Sequence, residues 1–457
     1  MANNNTALIP EIWAASSIRY LEANTNFVKL VNGDYSADVA RMGSVVHTNL
    51  VAPLPENRRY DFTQPVPTSD VSASPVTITM NQLVQQSILL DDMDVSLATE
   101  NLFAKYGEQM ALAMARTVER IIAGQIYQFM SYGVGVLGST ASISPVQPST
   151  MKAQTNLIKR GVTNEELIAV LSPGTYAALV QNPAFSGDYV LADQGTVART
   201  GLLGYRYGIS FARSAHLPEV TTSIPTNNVV VQAGTAASAG ATSLTLNVGT
   251  YAGTGLVVGS WFYVNDAGYP HRVLTVTGGI AGQPASITFT PELVQNVASG
   301  TSITATKTTT TTAAFAAGYM GPIAIAAPAY PLTVGQMISF GSEYHAVIRV
   351  VDSTHILLDR PLEAAVSSGA VMGISPAGNY NFMMTRDAIG IAMRSLHLPP
   401  TIGNNNVSGA IMESPDTGIP MRVVTSYDAA YQKTRVTMDL LMGITVLNPV
   451  AGNPIFA

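Results

Sequence analysis

Apolar residues recur at three- and four-residue steps over 94–130: Leu102, Phe103, Tyr106, Met110, Ala113, Thr117, Ile121 and Ile122. That spacing predicts one long amphipathic helix. Asp94 or Ser96 can cap it, and Glu100, Lys105, Glu108, Arg116, Glu119 and Arg120 supply its polar side. At 1.5 Å per residue it spans roughly 50 Å, the length of a spine. Upstream, Ile9, Ile12, Trp13, Ser16 and Tyr20 predict a short helix in an N-terminal arm, 1–43. Residues 44–51 and 75–80 read as strands, with Val76, Ile78 and Met80 on one face. The proline-stiffened stretch between them makes 44–91 an extended hairpin loop. Its tip has no core of its own, so it is functional or contacts a partner.

A Gly/Ser/Pro loop over 133–149 precedes a helix predicted at 150–160. Leu167 to Leu171 reads as a buried strand. Ser172-Pro173-Gly174 then opens a helix, with Ser172 as cap and Pro173 in the first turn. Residues 381–396 read as a helix stopped by Pro399-Pro400. Three alternating runs, 421–427, 434–441 and 443–447, predict C-terminal strands. The pattern as a whole is α+β.

Between Val220 and Ser342 the chain carries four charged side chains: Asp266, Arg272, Glu292 and Lys307. This stretch is Thr, Ala, Gly, Ser and Val in short alternating runs. It also holds a diverged repeat. Residues 257–263, 269–276 and 287–293 correspond to 334–340, 344–350 and 356–362. The expectation is an inserted β-rich region over 222–376, of one or two small barrels or sandwiches, divided as 222–312 and 313–376. The threonine run Lys307 to Thr312 reads as the link. The host is then 92–149 as a peripheral domain with the spine helix, 150–221 as the first part of an axial domain, and 377–457 as the return.

Composition sharpens this picture. Of 457 residues, 47% are hydrophobic and 11% charged, well below the roughly 25% charge usual in soluble domains. Surface that lacks charge is expected to be covered by other protein. A formal net charge of −6 argues against a general phosphate-binding surface. The chain has no Cys, which excludes disulfides and thiolate metal sites. The start, Met1-Ala2-Asn3-Asn4-Asn5-Thr6, lacks the regions of a signal peptide. No apolar run is long enough for a membrane helix.

Catalytic, cofactor-binding and metal constellations are not found. The six His residues, His47, His216, His271, His345, His355 and His397, show no ligand spacing. Gly133-Val134-Gly135-Val136-Leu137-Gly138 follows a helix rather than a strand, and its last Gly arrives one position early for a dinucleotide turn. Asp91, Asp92 and Asp94 read as negative charge at a helix N-terminus. Arg58 and Arg59, with Tyr60, sit at the hairpin tip. These three and Trp13 are the candidate subunit-interface residues.

Four stretches carry a resemblance. They are Ala169 to Leu179; Gly201 to Ile209 with Ser214 to Pro218; Phe382 to Ile389; and Asp439 to Pro449. Collinear over nearly the whole chain, they resemble the major capsid proteins of tailed bacteriophages. The part from Val334 to Pro361 is most similar to the insertion of P22-type coat proteins. The resemblance implies an HK97-like capsid fold and many copies tiling an icosahedral shell around double-stranded DNA. Hexamers and pentamers, a separate scaffolding protein, a portal and a decoration protein are the implied partners, with the virion capsid as destination and the host cytoplasm as assembly site. The short stretch before the hairpin implies that scaffolding is not fused. One variant of the family cross-links through a Lys on the hairpin loop. No Lys occurs between Leu30 and Ala104 here, so a shell without covalent links is expected. Two competing readings are a secreted or surface β-rich adhesin or carbohydrate-binding protein, and an enzyme with a hidden acid/base pair. The missing signal peptide opposes the first; no spacing singles out a pair for the second.

Overall fold

The computed structural model describes residues 25–35, 45–51, 73–93, 102–135, 137, 143–162, 166–186, 202–220, 226–230 and, with short gaps, 235–456. Strands β1 (Val45–Val51) and β2 (Ala73–Thr79) pair antiparallel from Val45↔Thr79 to Val51↔Ala73. Strand β3 (Gln82–Asp91) follows and runs along the first ten residues of the strand Lys433–Val446. That long strand also pairs with Ile389–Arg394 and Pro420–Asp428. Val407–Glu413 completes a five-stranded sheet.

The spine is helix α1 (Leu102–Gly124), about 35 Å long at 1.5 Å per residue. It tightens into a 3-10 segment, Gln125–Tyr132. Its buried stripe is Met110, Met114, Val118, Ile121 and Ile122, which packs on Val84, Met438, Leu440 and Met442 of the sheet. The stripe is rotated from the one read in the sequence. Tyr106 is 43% exposed, whereas Glu119 is buried. A polar side chain on the inner face was not legible from periodicity, because its partner is a remote segment of backbone.

A second host sheet has the order Val134–Gly135, Gly452–Phe456, Gly378–Met384, Leu167–Leu171, Ile209–Arg213, Tyr205–Arg206. Leu167–Leu171 is buried throughout. The helix Pro173–Gln181 starts as its sequence dictates, with Ser172 Oγ accepting from the Thr175 N–H at 3.4 Å. The helix expected at 150–160 begins earlier, at Ile143. Pro145 falls in its first turn, where a missing N–H costs nothing.

The helix expected over 381–396 is absent. Gly378–Met384 and Ile389–Arg394 are strands, joined by a 3-10 turn at Arg386–Ala388. Both strands are buried on both faces. A strand covered on two sides shows no apolar/polar alternation, and in a short run that leaves helix and strand indistinguishable.

The charge-poor region forms two six-stranded antiparallel sheets. The first has the order Ser243–Thr245, Ser286–Thr290, Pro270–Thr277, Trp261–Val264, Ser302–Thr306, Thr226–Val230. The second has Ile323–Ala324, His355–Leu358, Glu343–Asp352, Met337–Phe340, Val371–Ile374, Thr309–Thr310. Strand for strand, the order is the same. Thr309–Thr310 is thus an edge strand of the second sheet rather than a linker.

The likeness extends to single hydrogen bonds. Gly259 N–H donates to Val273 O at 2.8 Å, and Gly335 N–H to Val347 O at 2.7 Å. Both glycines turn with positive φ, +88° and +89°, a conformation that excludes most L side chains. Both central strands bulge at the same place, between Val273 and Thr275 and between Val347 and Arg349. The repeat is therefore a tandem pair of modules. Val220 and Gly378 are cross-strand partners, so the chain leaves and rejoins the host at neighbouring points of one sheet.

Candidate assembly surfaces

The root of the β1–β2 hairpin is anchored by apolar contact. Val46, Ile78 and Met80 are buried with Ala392 and Leu447. Toward the far end, Ala73, Ser74 and Pro75 are exposed. Beside the root lies an open cavity of about 320 Å³. Asn32, Tyr35, Thr48, Asn49, Asp387 and Asn448 give it a polar lining. Asn32 holds this corner together. Its amide donates to Asp387 Oδ1 at 2.6 Å, its backbone N–H donates to Ile389 O at 3.1 Å, and its carbonyl accepts from Ile391 N at 2.9 Å.

One turn of the arm is clasped by the spine. Phe27 is 1% exposed and its N–H donates to Glu119 Oε1 at 2.6 Å. Ser214 Oγ approaches the other carboxylate oxygen at 3.5 Å. Burial pushes the Glu119 carboxyl up to about 7, against the pull of hydrogen bonds from Phe27, Val28, Ser214 and Asn26. The clasp closes the helix over Phe27, Val28 and Val31, which join the main core.

The tandem modules dock on the far end of the spine. Tyr127 Oη donates to Gly335 O at 2.6 Å. Tyr269 Oη donates to Met130 O at 3.1 Å. The modules also meet each other: Trp261 is fully buried, its ring tilted against Tyr344 at 5.7 Å. Arg272, one of the four charges in the charge-poor stretch, is buried over the Tyr344 ring.

His345 is fully buried between two carboxylates, with Nε2 3.1 Å from Glu343 and Nδ1 3.5 Å from Asp359. Burial works to lower its pKa, but bonds to Asp359 and Glu343 outweigh this and raise it. The carboxylates are engaged structurally. Glu343 accepts from the N–H groups of Glu363 and Ala364, and Asp359 from Ala346 N. The group ties strands together in the buried interior of the module. Its counterpart in the first module, His271, stacks on Phe262 and faces Pro291 O at 2.8 Å. Burial holds its pKa down to about 4. His355 is on the surface with Asp352 at 3.0 Å. Among the described residues no group of His, Asp or Glu has metal-binding geometry, and no helix is long and apolar enough to cross a membrane.

The proposed interface residues Trp13, Arg58, Arg59 and Tyr60 lie outside the described residues. Asp94 does too. Asp91 and Asp92 face the C-terminal sheet: Lys433 Nζ is 3.1 Å from Asp91, and Tyr427 Oη donates to Asp92 Oδ2 at 2.6 Å. They pin β3 to its neighbours, a use that helix-end charge did not foretell.

No family model matches the sequence, and no curated protein does. The chain is distantly similar to phage structures. One, from Mycobacterium phage Che8, shares 12% identity over 94% of this chain and 90% of its own, with a TM-score of 0.46. The capsid structure of Cyanophage P-SCSP1u shares 11% over 91% and 84%, at 0.42. The bacteriophage PhiM1 mature capsid shares 9% over 91% and 82%, also at 0.42.

Proposed function

We propose that this chain is a structural coat subunit of a tailed phage, built to assemble with copies of itself into an icosahedral shell around double-stranded DNA. The hairpin carries the reading. Among the described side chains, those at its root are packed and those of Ala73, Ser74 and Pro75 are exposed, yet the β1–β2 ladder runs on to Val51↔Ala73. An isolated two-stranded hairpin is marginal in water, so a ladder held out from its own core is stabilised by a neighbour. A host of arm, hairpin, spine helix and two sheets fits the HK97-like order that the collinear sequence stretches resemble. The tandem modules take the place of an insertion domain.

Assembly on this reading is non-covalent, because the hairpin loop lacks Lys, and it occurs in the host cytoplasm. A scaffolding protein, a portal and a decoration protein are the partners proposed from the same resemblance. Catalysis has no role in it; the buried His345–carboxylate cluster is a tie between strands. Expression of the full chain, alone and with a phage scaffolding protein, followed by negative-stain imaging, is the direct test. Uniform polyhedral shells or capsomer rings are the expected result. A well-behaved monomer that binds glycans would overturn the reading in favour of an adhesin.

A further inference from the structure

Arg116 and Arg120 stand one turn apart on α1. A helix brings together residues three and four positions apart, and ion pairs form at those positions. For Arg116 they are Leu112, Ala113, Glu119 and Arg120; for Arg120 they are Arg116, Thr117, Ala123 and Gly124. Glu119 is the one acid among them, and it is committed elsewhere: buried, it accepts from Phe27 N in the arm. The two guanidinium groups thus share a stretch of helix with no carboxylate of that helix to balance them. Burial and the charge of Arg116 both lower the pKa of Arg120.

A third basic group joins from the segment after Ile209–Arg213. Ser214 Oγ lies 3.5 Å from Glu119 Oε2, and His216 N donates to Ser214 Oγ at 3.2 Å, so residues 214–216 run beside the helix at this level. His216 is half-buried there, and burial with the charges of Arg120 and Arg116 lowers its pKa. The second module closes another side. Arg120 Nη1 donates to the Ile348 carbonyl at 3.4 Å. Asp359 of that module, packed against Gly124, is held by Ala346 N and Arg360. Among the described residues no ion pair includes Arg116, Arg120 or His216. Arg116 is exposed, so the group opens to solvent.

We infer that Arg116, Arg120 and His216 form a binding site for a phosphate-type oxyanion where the spine, the axial segment and the second module meet. An arginine presents a planar fork of N–H donors that matches the oxygens of a phosphate. Side chains at i and i+4 start about 6 Å apart, close enough for both forks to reach one tetrahedral anion. Like charges held together disfavour their own charged forms, and an anion among them reverses that. His216 then gains a reason to protonate and adds a donor. The formal net charge of −6 confines such binding to a local patch rather than a whole surface. Two sources carry this chemistry. The phosphodiester backbone of DNA is one, and it rests on the coat-subunit reading. Free phosphate is the other, and it does not.

Arg116→Gln in the full chain is the test variant, since it leaves the Arg120–Ile348 bond in place. Arg435→Gln, exposed on the C-terminal sheet, controls for loss of charge alone. Unassembled subunits are melted in sodium phosphate and in sodium chloride of equal ionic strength. They are also titrated into a fluorescein-labelled DNA duplex, followed by anisotropy across a salt series. Phosphate should raise the melting midpoint more for the unaltered chain and Arg435→Gln than for Arg116→Gln. Phosphate should also move the titration of His216, read by NMR on histidine-labelled protein, to higher pH. If DNA is the source, the slope of log affinity against log salt becomes shallower by about one in Arg116→Gln and stays put in the control. Arg116→Lys, which keeps the charge, should recover most of each response. A phosphate response without duplex binding supports the site and assigns it to free phosphate. Equal losses in Arg116→Gln and Arg435→Gln, or no response to either probe, overturn the inference and leave the coat reading intact. Failure of the unaltered chain to form shells defeats the coat reading and leaves phosphate binding at Arg116 standing.

Discussion

The indole N–H of Trp261, in the first module, donates to Ser339 Oγ in the second at 3.2 Å. Ser339 Oγ in turn lies 3.4 Å from Gly259 O, back in the first module. Thr306 Oγ1 donates to Ile374 O at 2.8 Å alongside. The modules are joined by a buried hydrogen-bonded seam rather than tethered as independent beads.

Trp261→Ala empties the centre of that seam and should cost about 3–5 kcal/mol, the usual range for deleting a buried aromatic. Trp261→Phe keeps most of the volume and should cost about 1 kcal/mol for the lost hydrogen bond. Urea unfolding followed by far-UV circular dichroism separates the two. Equal, negligible losses would falsify the seam.

Gly373 is a steric probe of the same junction. A Cβ there would sit 1.9 Å from Gly259 O and 2.6 Å from Ser339 Oγ. Gly373→Ala should destabilise by about 1–3 kcal/mol, as overpacking does. Gly174, at the start of the helix after Ser172, has nothing within 4 Å. Gly174→Ala should be neutral or mildly stabilising. Paired thermal melts of the two variants check the contrast.

Glu119 predicts a pH dependence with a definite sign. Its folded pKa, raised by burial to about 7, exceeds the 4.5 of a solvated glutamate. Between those values the folded chain keeps a proton that the unfolded chain loses, so this group lowers stability progressively as pH rises through the window. The effect is absent below the unfolded pKa and constant above about 7. Glu119→Gln should flatten the slope, while keeping an acceptor for the Phe27 N–H. Denaturation midpoints at about pH 5 and pH 8, compared for both proteins, decide it; an unchanged slope in the variant points to another group.

Replacing 221–377 with a two-residue Asn-Gly turn should leave a folded host. Val220 and Gly378 are already cross-strand partners, the geometry such a turn closes. Tyr127 and Phe456, buried in the intact protein, would be uncovered by the deletion and should make the shortened protein less soluble. A cooperative melt with retained helical signal is expected; a molten far-UV and near-UV profile would show that the modules are part of the host core.

Sequence spacing located the spine, the hairpin root, the Ser172 cap and three pairs of repeat strands, because each rests on local rules. It misread 381–396, where Phe382, Met383, Met384, Ile391, Ala392 and Met393 are all buried and no alternation survives. It missed Gly452–Phe456, a strand whose every residue is buried. Glu119 was unreadable because its ligands, the amides of residues 26–28, belong to backbone. The second module's full extent was hidden too. Ala237 pairs with Val297 as Phe315 pairs with Val366, a correspondence kept in the backbone and lost in the side chains.

The Val220–Gly378 pairing also bears on the order of folding. One edge of the strand Leu167–Leu171 pairs with Ile209–Arg213, but its other edge closes on Met384 and its neighbours, roughly 210 residues downstream, and closing so long a loop is entropically costly. Modules that collapse first, through their own short-range hairpins, carry Val220 and Gly378 to within one strand spacing. The host sheet then closes a short loop instead of a long one. If the pair collapses first, it acts as an internal clamp on the nascent chain, and a stopped-flow comparison should then find that slowing its collapse slows the host without changing the host's final stability.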